Sequence, residues 1–290
     1  MPDQPPASDR EIVVVGDQQV ATDRLVFVGG LHRSGTTPLA DMLAEHEEIS
    51  GLRDTAVKMD EGQHLQDVYP RTHSGMGRFA LEPGAHLTEE SDLVSPRSAQ
   101  RLLAAWAPYW DLNRRFLLEK TPRNLIMGRF LQALFPGSAL IVVVRHPVVV
   151  SLAMEKWNPL ITRKGRLHVS LSTQLKNWTT AHRRLTDDMA HLDRVLVLRY
   201  EDLLRDTPAY LEKVQEFLGL DSPFQVAPLD RTRSTGYEAE WQRRQRSTLP
   251  WVRGPIRRAE RGYADEIARY GYDFSDLSAL GDWESSIPLV

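Results

Sequence analysis

Residues 25–46 read LVFVGGLHRSGTTPLADMLAEH, and this stretch decides the fold. An apolar run, Arg24–Gly29, predicts a β-strand, and it continues directly into a glycine-rich loop. After the loop, Leu39 and Leu43 recur at helical spacing, and Pro38 stands near the start, where a helix favours proline. The order of strand, glycine-rich loop and helix indicates an α/β protein that can hold an anion on backbone N–H groups at the helix start.

The loop Gly30–Thr37 nearly fits the phosphate loop G-x-x-x-x-G-K-[ST]. Thr36 stands where that motif has its lysine, and a cation comes three positions earlier, at Arg33. The hydroxyls of Thr36 and Thr37 and the backbone N–H groups remain available to an anion. The loop therefore predicts an anion site that differs from that of an ATPase. The alternative is a glycine-rich turn with capping threonines and no ligand.

On both sides of this stretch, further apolar runs alternate with helical segments. Strands are predicted at Glu11–Val15, Phe116–Glu119, Ala139–Val144 and Val195–Leu198, and helices at Arg101–Tyr109, Arg123–Phe135, Val148–Trp157, Leu171–Leu192 and Ala209–Leu218. Residues 139–144 show no polar alternation, as in a strand that is buried on both faces. The alternation predicts a single α/β domain over residues 11–290 with a parallel sheet. Residues 1–10 are expected to form a loose tail, and residues 50–100 loops with short helices.

Composition narrows the classes of protein. The 290 residues are 41% hydrophobic and 26% charged, which excludes a wholly disordered chain. A net charge of −3 gives no general basic field for nucleic acid or a membrane surface. With no cysteine, a disulfide scaffold, a thiolate metal site and a cysteine nucleophile are excluded. The longest apolar run, six residues at 139–144, is far shorter than a membrane span, and the start has no secretory pattern, so we expect a cytoplasmic protein.

Three motifs in order resemble the sulfotransferases that use 3′-phosphoadenosine 5′-phosphosulfate (PAPS). They are Arg33–Thr37 in the loop, Glu119–Asn124 with the strand end Val144–Pro147, and Arg199–Leu203. The branch with arginine in the loop, which includes the tyrosylprotein sulfotransferases and many bacterial relatives, is the most similar. The resemblance implies a P-loop-like three-layer sandwich with a central parallel sheet between helices. It also implies transfer of a sulfuryl group from PAPS to an acceptor hydroxyl or amine, leaving 3′,5′-adenosine bisphosphate, as in bacterial secondary metabolism.

The resemblance assigns most donor-binding residues. They are Arg33, Ser34, Gly35, Thr36, Thr37, Arg145, Ser151, Tyr200, Arg243 and Arg244. Arg145 ends a buried strand, where ligands collect, and can grip the 3′-phosphate bidentately. The family places a serine where this chain has Ala153; Ser151, two residues earlier, points about 200° away on a helix. Tyr200 is expected beside the adenine, whereas Arg243 and Arg244 contact the 3′-phosphate or belong to a solvated charge run.

The same resemblance assigns catalytic contacts to Arg33 and Lys120. The sulfuryl group carries less charge than a phosphoryl group, so fixed cations can replace a metal clamp and no metal is expected. The general base is left open among three candidates. Asp54 lies where the tyrosine-sulfating branch has a carboxylate, and Glu61 and His64 follow nearby. A solvated polar loop is the alternative for all three.

The acceptor is expected to be a small molecule or a peptide, bound by residues 50–115 and the C-terminal third. Trp106, Tyr109 and Trp110 fall at i, i+3 and i+4, which predicts a core-facing stripe first and acceptor contacts second. The identity of the acceptor and a homodimer are left open. Two rival functions remain: a P-loop nucleotide or small-molecule kinase, against which the missing loop lysine argues, and a non-catalytic nucleotide-binding module.

Overall fold

A computed structural model describes residues 11–71, 78–157, 170–225 and 232–283; the expected tail, residues 1–10, lies outside them. Within these ranges the strands are β1 (Ile12–Val15), β2 (Gln18–Ala21), β3 (Leu25–Gly30), β4 (Ile49–Gly51), β5 (Phe116–Lys120), β6 (Ala139–Val144) and β7 (Val195–Arg199). The α-helices are α1 (Thr36–Leu43), α2 (Pro96–Trp106), α3 (Gly128–Leu134), α4 (Pro147–Trp157), α5 (Leu171–Asp188), α6 (Tyr200–Arg205), α7 (Thr207–Leu218), α8 (Thr232–Gln245) and α9 (Pro250–Ala268).

A parallel sheet forms the centre of the described part of the chain. Its strand order is β4-β5-β3-β6-β7, so β3 lies in the middle with β5 and β6 on either side. All carboxyl ends therefore meet at one edge, where β3, β5, β6 and β7 end at Gly30, Lys120, Val144 and Arg199. The chain order reverses around β3, and ligands bind at such a point in open α/β sheets.

Helices cover both faces of the sheet. On β3, Leu25 and Phe27 belong to the core beneath α2, α3, α4, α5, α8 and α9. Val26 and Val28 belong to the core beneath α1, α6 and α7. This confirms the three-layer α/β sandwich with a central parallel sheet. Every residue of β6 is buried, which confirms the strand predicted to be covered on both faces.

Several element boundaries differ from the prediction for local physical reasons. The strand expected at Glu11–Val15 lies outside the central sheet, because Gly16 turns the chain into an antiparallel hairpin with β2. The helix expected from Arg101 begins earlier, at Pro96, where the Ser95 side chain accepts a hydrogen bond from the backbone N–H of Ser98. The strand β4 was not predicted, because its three residues are too few to show an alternation of polar and apolar side chains.

Two long predicted helices are interrupted or shortened. The helix expected over Arg123–Phe135 consists of a 3₁₀ segment, Pro122–Ile126, and α3, which are separated by the non-helical Met127. The helix expected over Leu171–Leu192 ends at Asp188 as α5, and a 3₁₀ turn follows. No helix within the described ranges is long and apolar enough to cross a membrane.

The central sheet predicts where substitutions cost stability. Ile141 in β6 is fully buried, whereas Ile12 in the hairpin is 53% exposed. We expect Ile141→Ala to lower the free energy of unfolding by about 2–5 kcal/mol, because it leaves a cavity. Ile12→Ala, the matched control, should change it by less than about 0.5 kcal/mol. Urea unfolding followed by circular dichroism measures both, and equal losses would contradict the placement of β6.

Candidate active site

The loop after β3 has the geometry of an anion cradle. Gly35, immediately before α1, has a φ of 98°, and a Cβ there would lie 2.2 Å from the ring of Tyr200, so only glycine fits. Arg33 also has a positive φ, 71°. The Ser34 hydroxyl is buried and has no hydrogen-bond partner among the described residues. A buried hydroxyl and the free N–H groups at the start of α1 suit an anion that supplies the missing acceptors.

Two guanidinium groups lie at this loop. Arg145, which follows β6, donates through Nη1 to the backbone carbonyl of Arg33 at 2.9 Å. Its Cζ is 4.5 Å from the ring centre of Tyr200 and 5.9 Å from that of Tyr237. Burial lowers the pKa of Arg33; nearby Tyr237 opposes this, and the like charge of Arg145 adds to it. The structure thus places Arg33, Arg145 and Tyr200 around one loop, and their contacts with a nucleotide stay predictions.

A second cluster lies at the end of β5. Lys120 is buried, and its Nζ donates to the carbonyl of Met59 at 2.7 Å and lies 3.6 Å from Oε1 of Glu61. The other carboxylate oxygen of Glu61 accepts from Nε2 of Gln63 at 2.7 Å and is 3.5 Å from Nε2 of His64. Three predicted residues, Lys120, Glu61 and His64, therefore form one group.

Asp54 differs from Glu61 in its surroundings. Its side chain is exposed and its backbone has a φ of 55°, whereas Glu61 is only 6% exposed. The nearby Asp60 uses its carboxylate to accept from the backbone N–H and the hydroxyl of Thr55, which closes the intervening turn. In the described ranges no group of three or more His, Asp or Glu side chains is placed to hold a metal ion.

His32 is a site residue that the sequence reasoning missed. It precedes Arg33 in the loop, and its ring packs edge-on against Phe79. Burial lowers the pKa of His32 to about 4, with Glu61 opposing and Lys120 reinforcing the change. The ring is therefore neutral near pH 7. A second missed residue is Tyr237 of α8, whose contact with Arg145 spans a sequence separation that no local pattern reveals.

Glu119 fixes the loop that carries Glu61. Its Oε1 accepts from the backbone N–H of Gly62 at 2.9 Å and from the Thr121 hydroxyl, and its Oε2 accepts from Asn124 at 2.6 Å. Trp106 donates its indole N–H to the Gly62 carbonyl at 3.1 Å. A Cβ on Gly62 would lie 2.5 Å from Glu119, so glycine permits this close approach. Burial raises the pKa of Glu119 to about 7.

The aromatic stripe Trp106, Tyr109 and Trp110 belongs to the core. Both tryptophans are buried and Tyr109 is half-buried against the same cluster, which confirms the core-facing interpretation. The indole N–H groups nevertheless reach the site, because Trp106 binds the loop at Gly62 and Trp110 donates to the carbonyl of Leu118 on β5. The two tryptophans therefore hold backbone segments that lie close in sequence to Glu61 and Lys120.

The remaining predicted donor contacts have other partners. The buried Ser151 donates its hydroxyl proton to the carbonyl of Pro147 at 2.8 Å within α4. Arg244 binds Glu155 of α4 and Glu240 of α8, and the exposed Arg243 also binds Glu240. Arg244 lines a cleft of 380 Å³ between these helices, next to Tyr237. Their contacts with a nucleotide stay predictions.

The raised pKa of Glu119 predicts a pH-dependent stability. Between pH 4.5 and about 7 the folded protein keeps a proton that the unfolded chain releases, so this contribution is complete below pH 4.5 and is lost as the pH rises through 7. Glu119→Gln cannot ionise. From pH 5 to pH 8, the free energy of unfolding of the variant relative to wild type should rise by about 2–3 kcal/mol. Urea unfolding at both values measures it; Glu216→Gln, an exposed change on α7, is the control, and an unchanged difference for Glu119→Gln would refute the effect.

Comparisons with known proteins find a matching family and a sequence relative. A model of the sulfotransferase family matches residues 26–224. A protein-tyrosine sulfotransferase from Drosophila melanogaster is 26% identical over 209 residues, 71% of this chain but only 39% of that protein, so the chain spans about two fifths of that relative.

Solved structures of sulfotransferases are also similar. The sulfotransferase domain of the Synechococcus PCC 7002 olefin synthase has 21% identity and a TM-score of 0.44, with 82% of this chain and 93% of that domain covered. Sulfotransferase STF1 from Mycobacterium tuberculosis H37Rv has 17% identity and a TM-score of 0.49, with 83% and 76% covered. Since the family model spans most of the sequence, including the loop, Lys120 and Arg145, the chain belongs to the sulfotransferase family.

Proposed function

We propose that the protein transfers a sulfuryl group from PAPS to a hydroxyl or amine of a small-molecule or peptide acceptor, in line and without a metal. One observation carries the proposal: Arg33, Lys120 and Arg145 converge on the carboxyl edge of the sheet around the glycine-rich loop. Three fixed cations beside free backbone N–H groups are suited to a multiply charged anion.

The residues present fit the donor, which carries a 5′-phosphosulfate and a 3′-phosphate. The Ser34 hydroxyl and the backbone N–H groups at the start of α1 would bind the 5′ group. The hydroxyl has no hydrogen-bond partner among the described residues, and the first N–H groups of a helix have no acceptor within that helix. Arg145, which Tyr200 stacks against, would hold the 3′-phosphate. The hydroxyl of Ser151 donates a hydrogen bond to the carbonyl of Pro147. To contact the nucleotide in place of the serine that the family has at position 153, Ser151 would need another rotamer.

The donor supplies a sulfur–oxygen bond that breaks while the acceptor oxygen bonds to sulfur. Negative charge then develops on the oxygen left on the 5′-phosphate. Arg33 in the loop and Lys120 at the end of β5 stabilise this charge from fixed positions, and the low dielectric constant around the buried Lys120 strengthens its contribution. No carboxylate–metal clamp is required by this chemistry.

The acceptor proton must pass to a base, and we assign that role to Glu61. Its carboxylate is buried beside Lys120, and the backbone of the next residue is held by Glu119, so its position is fixed relative to the cations. His64 stands 3.5 Å from the same carboxylate and is next in line. We do not assign the base to Asp54, because its side chain is exposed to solvent. A base fixed within reach of the reacting oxygen contributes about 10²–10⁴-fold.

The setting of the enzyme is part of the proposal. The absence of cysteine suits a reducing compartment, and we propose a cytoplasmic enzyme of bacterial secondary metabolism. The net charge of −3 favours a small-molecule or peptide acceptor over nucleic acid or a membrane surface. The name of one relative, a protein-tyrosine sulfotransferase, supports peptide tyrosine as one acceptor class. A homodimer remains open.

Transfer itself is the direct test. We expect the protein, incubated with PAPS and a library of alcohols, phenols, amines and tyrosine peptides, to add roughly 80 Da, the mass of SO₃, to at least one acceptor. EDTA should leave the rate unchanged, and Arg33→Ala should abolish transfer while the thermal unfolding stays cooperative. In thermal-shift measurements, 3′,5′-adenosine bisphosphate should stabilise the protein more than ATP with Mg²⁺. The reverse order would favour the kinase, and tight binding without any turnover would favour a nucleotide-binding module.

The assignment of the base gives a matched pair of variants. Glu61→Gln and Asp54→Asn each turn a carboxylate into an amide. We expect Glu61→Gln to lower kcat by about 10²–10⁴-fold and to remove the acidic limb of the pH–rate profile, because the base is lost. Asp54→Asn should change kcat by less than about threefold, since its side chain is exposed. If only Asp54→Asn alters the profile, the base is Asp54; if neither does, His64→Ala is the variant to measure next.

A further inference from the structure

The turn between β6 and α4 is held by side chains from distant parts of the chain. The last ladder pair of β6 joins Val144 to Arg199, so the sheet does not hold the next peptide, between Arg145 and His146. The indole N–H of Trp178 donates to the Arg145 carbonyl at 3.0 Å. On the other side, the His146 N–H donates to Oε1 of Glu201 at 3.0 Å. Both the oxygen and the nitrogen of this peptide are therefore hydrogen-bonded to side chains.

Glu201 is in turn fixed by the C-terminal segment after α9. The hydroxyl of Tyr272 donates to Oε2 of Glu201 at 3.0 Å, and burial raises the pKa of Tyr272, so it remains a donor. The His146 ring completes the link. Its Nδ1 accepts from the Val148 N–H at 3.2 Å, so Nε2 carries the proton and donates to the Asp273 carbonyl at 3.0 Å.

We propose that Glu201 and Tyr272 are positioning residues for Arg145. This inference rests on the proposed function, in which Arg145 binds the 3′-phosphate of the nucleotide. A bidentate contact between guanidinium and phosphate depends on the backbone from which the arginine extends, and binding groups must be held within about 0.5 Å. The hydrogen-bonded chain Tyr272–Glu201–His146 fixes that backbone, so the C-terminal segment sets the selectivity for 3′-phosphorylated nucleotides without touching them.

The neighbouring Tyr270 provides a matched control. It lies in the same segment and its ring packs against Trp178, as the ring of Tyr272 does. Its hydroxyl, however, meets the hydroxyl of Thr186 at 3.3 Å and is not linked to Glu201. Tyr270→Phe and Tyr272→Phe therefore remove the same atom from the same aromatic cluster, and only the second variant cuts the link to Arg145.

The experiment compares two nucleotides that differ only in the 3′-phosphate. Isothermal titration calorimetry measures Kd for 3′,5′-adenosine bisphosphate and for adenosine 5′-monophosphate with each protein. The preference for the 3′-phosphate is the Kd of the monophosphate divided by the Kd of the bisphosphate. We expect this ratio to fall at least fivefold in Tyr272→Phe and less than twofold in Tyr270→Phe. Glu201→Gln should keep the ratio, because its amide oxygen can accept from His146 while its amide nitrogen donates to the Tyr272 oxygen. A general loss of packing would weaken both nucleotides equally and leave the ratio unchanged.

The outcomes separate this inference from the function on which it rests. If wild type binds the two nucleotides equally, the proposed function fails and this inference with it. If wild type prefers the bisphosphate but Tyr272→Phe keeps that preference, or Glu201→Gln loses it, only the inference is overturned. Should Tyr272→Phe not fold, Trp178→Phe removes the other hydrogen bond to the same peptide. It should then lower the ratio in the same direction, and an unchanged ratio would be decisive against the inference.

Discussion

Two like charges lie close together at the carboxyl edge of the central sheet. The Arg145 guanidinium donates to the backbone carbonyl of Arg33, and its like charge lowers the pKa of the Arg33 side chain, so two positive charges lie beside one crevice at the loop. An anion between two like charges is attracted by both, and this attraction is the physical basis of the donor site that we propose. The positive φ of Arg33, the glycine at position 35 and the ring of Tyr200 against it all serve this arrangement.

Two buried glutamates hold the backbone on either side of the crevice. Glu119 accepts the Gly62 N–H next to Lys120, and Glu201 accepts the His146 N–H next to Arg145. Burial raises the pKa of both carboxyl groups, and in each case the neighbouring cation opposes that rise. Each glutamate also accepts a hydrogen bond from a hydroxyl group, that of Thr121 for Glu119 and that of Tyr272 for Glu201. Hydrogen bonds to main-chain N–H groups thus fix the backbone next to Lys120 and next to Arg145.

The sequence predicted the parts of the site that depend on local patterns. A buried strand followed by glycines predicted the loop, and the end of a second buried strand marked Arg145, because strand ends meet at one edge of a parallel sheet. Lys120 was assigned by the family resemblance. For residues 50–71 and 78–95 the sequence predicted only loops and short helices, since long-range polar contacts hold parts of these segments in place. Arg123, for example, donates to carbonyls in these segments from 38 residues or more away. The role of Tyr237 likewise depends on how α8 packs, which no short-range pattern contains.

The histidines beside the two arginines are neutral near physiological pH. His32 precedes Arg33 and His146 follows Arg145, and burial lowers the pKa of both rings to about 4. Near neutral pH neither ring adds positive charge, and His146 acts only as a hydrogen-bonding link. The positive charge at Arg33 and Arg145 is then that of their guanidinium groups, which stay protonated throughout the physiological range. In the proposed mechanism, the groups that bind the anion are therefore different from Glu61, the group to which we assign proton transfer.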